Sequence, residues 1–115
     1  MSIYEGQRSA NGIEVTVDGR PLDPRFDLRA LSDSGFEWGY DGGGPAQLAL
    51  AILAHHLGDD GRTLSQYKDF RSAVIAGLTG DTWRFDGDII DGALGSVTIV
   101  PMTLDQLLDK VRGKA

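Results

Sequence analysis

Asp41-Gly42-Gly43-Gly44-Pro45 places consecutive glycines at the entrance to an apolar segment. Glycines before a helix expose backbone N–H groups, which with the helix dipole can cradle an anion. Both common nucleotide fingerprints are incomplete here. A P-loop needs Lys-Ser or Lys-Thr after the glycines, where Pro45-Ala46 stands, and a dinucleotide loop needs glycine where Gln47 stands. Pro45 also removes one N–H that would face a phosphate. A tight turn beside an aromatic segment is the favoured reading of Gly42 to Gly44.

Asp86, Asp88 and Asp91-Gly92 resemble a calcium loop only at first sight. Ile90 takes the fifth position and Val97 the twelfth, where a bidentate glutamate is needed. The cluster reads as helix capping and turn chemistry. His55 and His56 are adjacent, so on a helix they diverge by about 100° and cannot readily share one ion. A metal site would need Asp59 or Asp60 to converge on one of them, and no metal is expected. Gly-x-Ser-x-Gly, His-Glu-x-x-His and cysteine are all absent, so no catalytic residue is assigned and no cofactor is implied. Glu37 lies between Phe36 and Trp38, a setting whose desolvation raises a carboxylate's pKa. Gln47 is the polar residue early in an apolar helix and needs a specific partner. Glu37, Trp38, Tyr40, Gly43 and Gln47 are therefore the candidates for a small-ligand pocket. The favoured alternative has Glu37 and Gln47 satisfying the backbone of the glycine turn.

The element that must position these residues is a helix from Pro45 to Leu57, apolar almost all round and so buried. It is too short to span a bilayer, which takes about 20 apolar residues. Pro45 suits the first helical position and Gly58 a left-handed stop. Upstream, Ile3 to Arg8 and Ile13 to Val17 flank Asn11-Gly12, a type I′ hairpin signal. Phe26 and Leu28 suggest a short strand or extended docking segment. Phe36, Trp38 and Tyr40 share one face if their segment is extended.

Downstream, a second helix is expected from roughly Thr63 to Leu78, with Arg71 inside its apolar face. Snorkelling is the favoured explanation of Arg71, and pairing with a carboxylate the other. Thr82 to Phe85 reads as a strand with Trp83 and Phe85 on one side. Asp88 is expected to cap a short helical turn through Leu94. Val97 to Val100 reads as a strand, and Thr103-x-x-Gln106 as the capping box of a last helix. The sum is a single α+β domain over residues 1–115. An N-terminal hairpin and short strands form a sheet packed on the buried central helix, with two further helices.

Hydrophobic content of 41% and charged content of 24% are those of an ordinary globular chain. The lack of cysteine excludes disulfides and thiolate chemistry. A net charge of -6 argues against generic nucleic-acid binding and against anionic membranes. It suits a protein partner with a basic surface. The first residues lack a basic and an apolar leader region, so a cytoplasmic location is expected.

Phe36-Glu37-Trp38-Gly39-Tyr40, Gly42 and Gly44-Pro45-Ala46-Gln47-Leu48-Ala49 resemble the signature of a small family of uncharacterised bacterial, archaeal, plasmid and phage proteins. Tyr4-Glu5-Gly6-Gln7-Arg8 and Tyr67-x-x-Phe70 strengthen the likeness, which covers about residues 3–80. The match is poorest from Asp86 onwards. The resemblance implies no known activity and transfers no catalytic residue. It does imply a setting, since small acidic proteins of plasmids and phages often bind and block host machinery, CRISPR effectors included. The expected function is a non-enzymatic, protein-binding accessory factor of a mobile genetic element, such as an anti-CRISPR inhibitor. Asp81, Asp86, Asp88 and Asp91 are the expected partner-binding residues. The alternative is a small-ligand or nucleotide-binding domain, or an enzyme, using the Gly42–Gly44 turn. Either a monomer or a homodimer paired through Val97 to Val100 is compatible with the sequence.

Overall fold

The computed structural model describes residues 2–33 and 35–97. Among them the chain forms β1 (Ile3–Ser9), β2 (Gly12–Val17), β3 (Arg20–Pro21), α1 (Gly43–Leu57), α2 (Asp60–Ala73), a 3-10 turn (Ile75–Gly77), β4 (Thr82–Asp86) and α3 (Gly87–Val97). The strands make one antiparallel sheet in the order β3-β2-β1-β4. This is the expected α+β architecture.

Period-two alternation decides which side of the sheet is buried. Tyr4 pairs with Val17 and Phe85, and Gly6 with Val15 and Trp83, so these residues share the core face. Tyr4, Val15, Val17, Trp83 and Phe85 are all buried there with the α1 side chains. Register pairs Ser9 with Gly12, so the hairpin loop is Ala10-Asn11, one residue earlier than Asn11-Gly12 suggested. The residue with positive φ is Gly12, at +113°, and not either loop residue. The turn is therefore not type I′, which requires positive φ at both central positions.

Residues 48–53 of α1 are completely buried, as an all-round apolar helix requires. Gly42 is the N-cap, so Gly43 and Gly44 join the helix and Pro45 becomes its third residue rather than its first. Pro45 still costs no bond, because Ala46 N–H to the Gly42 carbonyl is the first of the ladder. Gly58 ends the helix in the left-handed conformation, φ 62°.

Several elements differ from the sequence expectation. α2 begins at Asp60 rather than near Thr63, with Asp59 as its cap accepting the Arg62 N–H, and it stops at Ala73, where the 3-10 turn takes over. Arg71 meets a carboxylate instead of snorkelling, its Nε lying 3.2 Å from Asp41. Residues 26–28 form a turn closed by the Leu28 N–H on the Arg25 carbonyl, so no strand forms there. Gly39, with φ +92°, turns the aromatic segment, and its N–H reaches the Ile75 carbonyl. Trp38 is thereby buried while Tyr40 is 51% exposed, and the three aromatics do not share a face. Asp86 rather than Asp88 caps α3, accepting the N–H groups of Asp88 and Ile89. Val97 is the last residue of α3 and not the first of a strand. Thr98 to Val100 and the helix expected from Thr103 lie outside the described residues. Among the described residues no helix is long and apolar enough to cross a membrane.

Candidate functional site

Arg8, Glu37 and Trp38 meet at a corner where β1, the approach to β4 and the segment before α1 come together. On β1, Tyr4, Gly6 and Arg8 share the core face, so Arg8 carries a charge to the buried side. Its Nη2 donates to Glu37 Oε1 at 2.5 Å, and its Nη1 donates to Asp81 at 3.2 Å and to the Gly80 carbonyl at 3.3 Å. The guanidinium also lies 4.5 Å from the centre of the Trp38 ring, a cation–π contact. Glu37, as hydrogen-bond acceptor, holds the Arg8 guanidinium above its ordinary pKa. Trp38 Nε1 donates to the same Gly80 carbonyl at 3.0 Å, and its N–H donates to Glu37 Oε1. Glu37 is thus an ion-pair partner with a side chain about a third exposed. This corner fastens the aromatic segment to the sheet.

The hollows at the outer sheet face, the hairpin end and the β2–β3 turn are not lined by any of the five proposed ligand-pocket residues. Glu37 and Trp38 belong to the corner just described. Tyr40 covers Gly42, where an added Cβ would stand 2.6 Å from the ring. Gly43 lies against the Leu31 carbonyl, 2.4 Å from where its Cβ would be, and Gly44 lies against Glu37. The Gly43 and Gly44 backbone is thus packed against the chain at Leu31 and against the stem of Glu37. Gln47 is completely buried, and its partners are not the glycine turn. It accepts the Leu31 N–H at 2.7 Å and donates to the carbonyls of Pro24 at 2.6 Å and Arg29 at 3.1 Å. One side chain therefore fastens residues 24–31 over α1.

The four partner-binding candidates are also spread out. Asp81 joins Arg8 at one end of β4, and Asp86 caps α3 at the other. Asp91 meets His56 Nε2 at 2.6 Å, tying α3 to the end of α1. Asp88 stands exposed in the first turn of α3. Groups able to hold a metal ion are absent among the described residues.

The outer face of the sheet was not singled out by sequence reading. Glu5, Gln7, Glu14, Thr16, Thr82 and Arg84 line a shallow concavity of about 440 Å3 there. Their alternation with buried residues was the available signal. Asp86 shares this face by register, opposite Ile3. A second feature also escaped notice. The fully buried Tyr4 hydroxyl bonds His55 Nδ1 at 2.7 Å, and burial, aided by Asp18, pushes the Tyr4 pKa up to about 12. Asp18 is held below the usual carboxylate range by the Ile3 N–H, 2.8 Å away.

Sheet, buried helix and Arg8–Glu37 corner define a small α+β domain in which Arg8, Glu37 and Gln47 bind its own parts together. The chain belongs to a family of unknown function (DUF6166), whose model matches residues 4–96. The match runs from β1 into α3 and so takes in residues 86–96, the first part of the segment where the sequence resemblance was poorest. Neither a curated protein nor a solved structure matches the chain.

Proposed function

We propose that the domain is a non-enzymatic binding module for a protein partner with a basic surface. The observation that carries this reading is the outer sheet face. Glu5, Glu14 and Asp86 stand there with Arg84 as the cation, around a concavity too open to enclose a small molecule. Glu5, Glu14 and Arg84 make no ion pair among the described residues, so their charge is available to a partner. Complementary charge of this kind mainly raises the association rate and selects the partner. Asp88, exposed at the start of α3, extends the acidic surface beyond the sheet. The narrower form, an anti-defence inhibitor carried by a mobile element, draws its support from the sequence resemblance. A ligand at the Gly42–Gly44 turn has less support, because Gly43 and Gly44 pack closely against Leu31 and the stem of Glu37.

The test is capture of the partner from host lysate, followed by titration of the purified pair. Replacing Glu5 and Glu14 together by Lys should leave the melting temperature nearly unchanged, since both are exposed. Association should slow at least about tenfold at low salt, and the difference should shrink as salt screens it. Equal association rates for parent and variant at low salt would overturn this surface.

A further inference from the structure

A second hollow, of about 240 Å3, opens on the core side of the β2–β3 turn. Val17, Leu22 and Ala51 supply its apolar wall, from β2, the chain after β3, and α1. Asp23, Arg25 and His55 also line it. Arg25 is held unusually firmly for a loop residue. Its backbone is left-handed, φ 57°, with the N–H donated to Asp23. Its Nε and Nη2 donate to both oxygens of Asp27 at 2.9 and 3.0 Å, and Asp60 lies 3.4 Å from Nη2. Asp23 lines the hollow, and the Arg25 guanidinium beside it is matched by both Asp27 and Asp60, so carboxylates outnumber the cation at this rim. His55 Nδ1 is committed to Tyr4, which leaves Nε2 for an incoming group.

We infer that this hollow takes one large apolar side chain, Leu or Phe, from an otherwise basic segment of a protein partner. The inference rests on the protein-binding reading and adds an anchor to it. An apolar wall gains by excluding water only when an apolar group fills it. The volume suits one such side chain and not a cofactor-sized molecule, whose pockets usually exceed about 300 Å3. The surrounding carboxylates repel an acidic ligand and favour Lys or Arg on either side of the anchor. Buried anchors in such pockets supply most of the affinity of an interface, while the charged rim supplies orientation.

The probe is a short peptide of Gly, Ser, Lys and Arg with a central Phe, titrated into 15N-labelled protein and followed by amide shifts. Saturable shifts are expected at Val17, Leu22, Ala51 and His55. A central Ala should weaken binding by about 10- to 100-fold, and Glu in place of Lys and Arg should abolish it. Ala51→Leu should fill the hollow from α1 and weaken the Phe peptide comparably. Because that change crowds a tight helix, Asp23→Lys serves as a second variant that leaves the hollow open and reverses part of its rim. It should weaken the basic peptide and shrink the gap to the Glu-flanked one. Equal binding of Phe and Ala peptides, or shifts confined to other residues, would overturn the inference. Shifts produced as strongly by phenylacetate alone would assign the hollow to small acids and also overturn it. A partner captured equally by parent and Ala51→Leu removes the anchor but keeps the protein-binding reading. No capture by the parent removes that reading.

Discussion

Gly6→Ala would put a methyl group where Trp83 already lies. A Cβ at position 6 would stand 2.3 Å from Trp83 Cε2 and Nε1 and 2.6 Å from Cζ2. Ordinary carbon contacts are about 3.5–4.0 Å, so the ring must withdraw by more than ~1 Å. It has little room to do so, being stacked on Phe85 with centroids 5.0 Å apart and meeting Trp38 edge-on at 5.7 Å. Overpacking a core typically costs about 1–3 kcal/mol, and displacing part of a buried indole adds to that. The expected loss is about 2–4 kcal/mol, or roughly 8–16 °C in Tm for a chain of this size. Urea unfolding followed by tryptophan fluorescence measures it, since Trp38 and Trp83 are the two tryptophans. The decisive comparison uses Trp83→Leu as background. With the indole gone, Gly6→Ala should cost nothing there, and the difference between the two costs isolates the contact. A Gly6→Ala protein with the parent's midpoint, or an equal cost in both backgrounds, would refute the packing account of this glycine.

Gln47→Leu should cost about 2–4 kcal/mol, because three buried bonds are lost together and their backbone partners are left without them. Hydrogen exchange at the Leu31 amide should accelerate by more than the global loss of stability predicts, and unchanged exchange would contradict the fastening role. At high pH, the Tyr4 hydroxyl keeps its proton longer in the folded chain than in the unfolded one. Its contribution is complete below about pH 10 and is lost as pH rises toward about 12. Tyr4→Phe should flatten the fall in unfolding free energy across that window, and an unaltered slope would exclude Tyr4 as its source. Asp18 and Asp27 act with the opposite sign, since their pKa values are lowered. Their contribution is present above about pH 4 and lost below it, so Asp18→Asn should reduce the acid sensitivity of the midpoint. Replacing Asp86, Asp88 and Asp91 together by Asn should change stability by less than about 1 kcal/mol, because Asn can still cap α3. If α3 belongs to the partner surface, the triple variant should associate more slowly at low salt, and parent-like rates would confine binding to the sheet face.

Local pattern carried much of the fold. The all-round apolar run predicted a buried α1 with its Gly58 stop, the Asn11-Gly12 signal predicted the β1–β2 hairpin, and alternation put Trp83 and Phe85 on one side of a strand. These signals come from neighbours within a few residues, through backbone sterics and exposure to water. The ends of elements were less legible because competing caps stood close together. Asp86 and Asp88 stand on either side of Gly87, the first residue of α3, and only the path of β4 decides which carboxylate meets the first N–H groups. At the start of α1, the two added residues Gly43 and Gly44 lie against Leu31 and Glu37, contacts that no local pattern announces.

The site residues lay further from the sequence. Glu37 read alone is a carboxylate between aromatics, whereas the fold brings Arg8, 29 residues away, onto it. An Arg two places after Gly6 on the buried side of β1 was the one local hint that a carboxylate had to arrive. Tyr4 and His55 are 51 residues apart, and His56 and Asp91 are 35 apart. By itself the sequence determined that the chain has an apolar helix, a hairpin, an acidic balance and no thiol chemistry. Only the tertiary structure decided that Arg8 and Glu37 are spent on each other, and that charge without an ion-pair partner among the described residues remains on the outer sheet face. Residue types and periodicity act through local geometry, while the pairing of charges depends on which distant segments the packing of the core forces together.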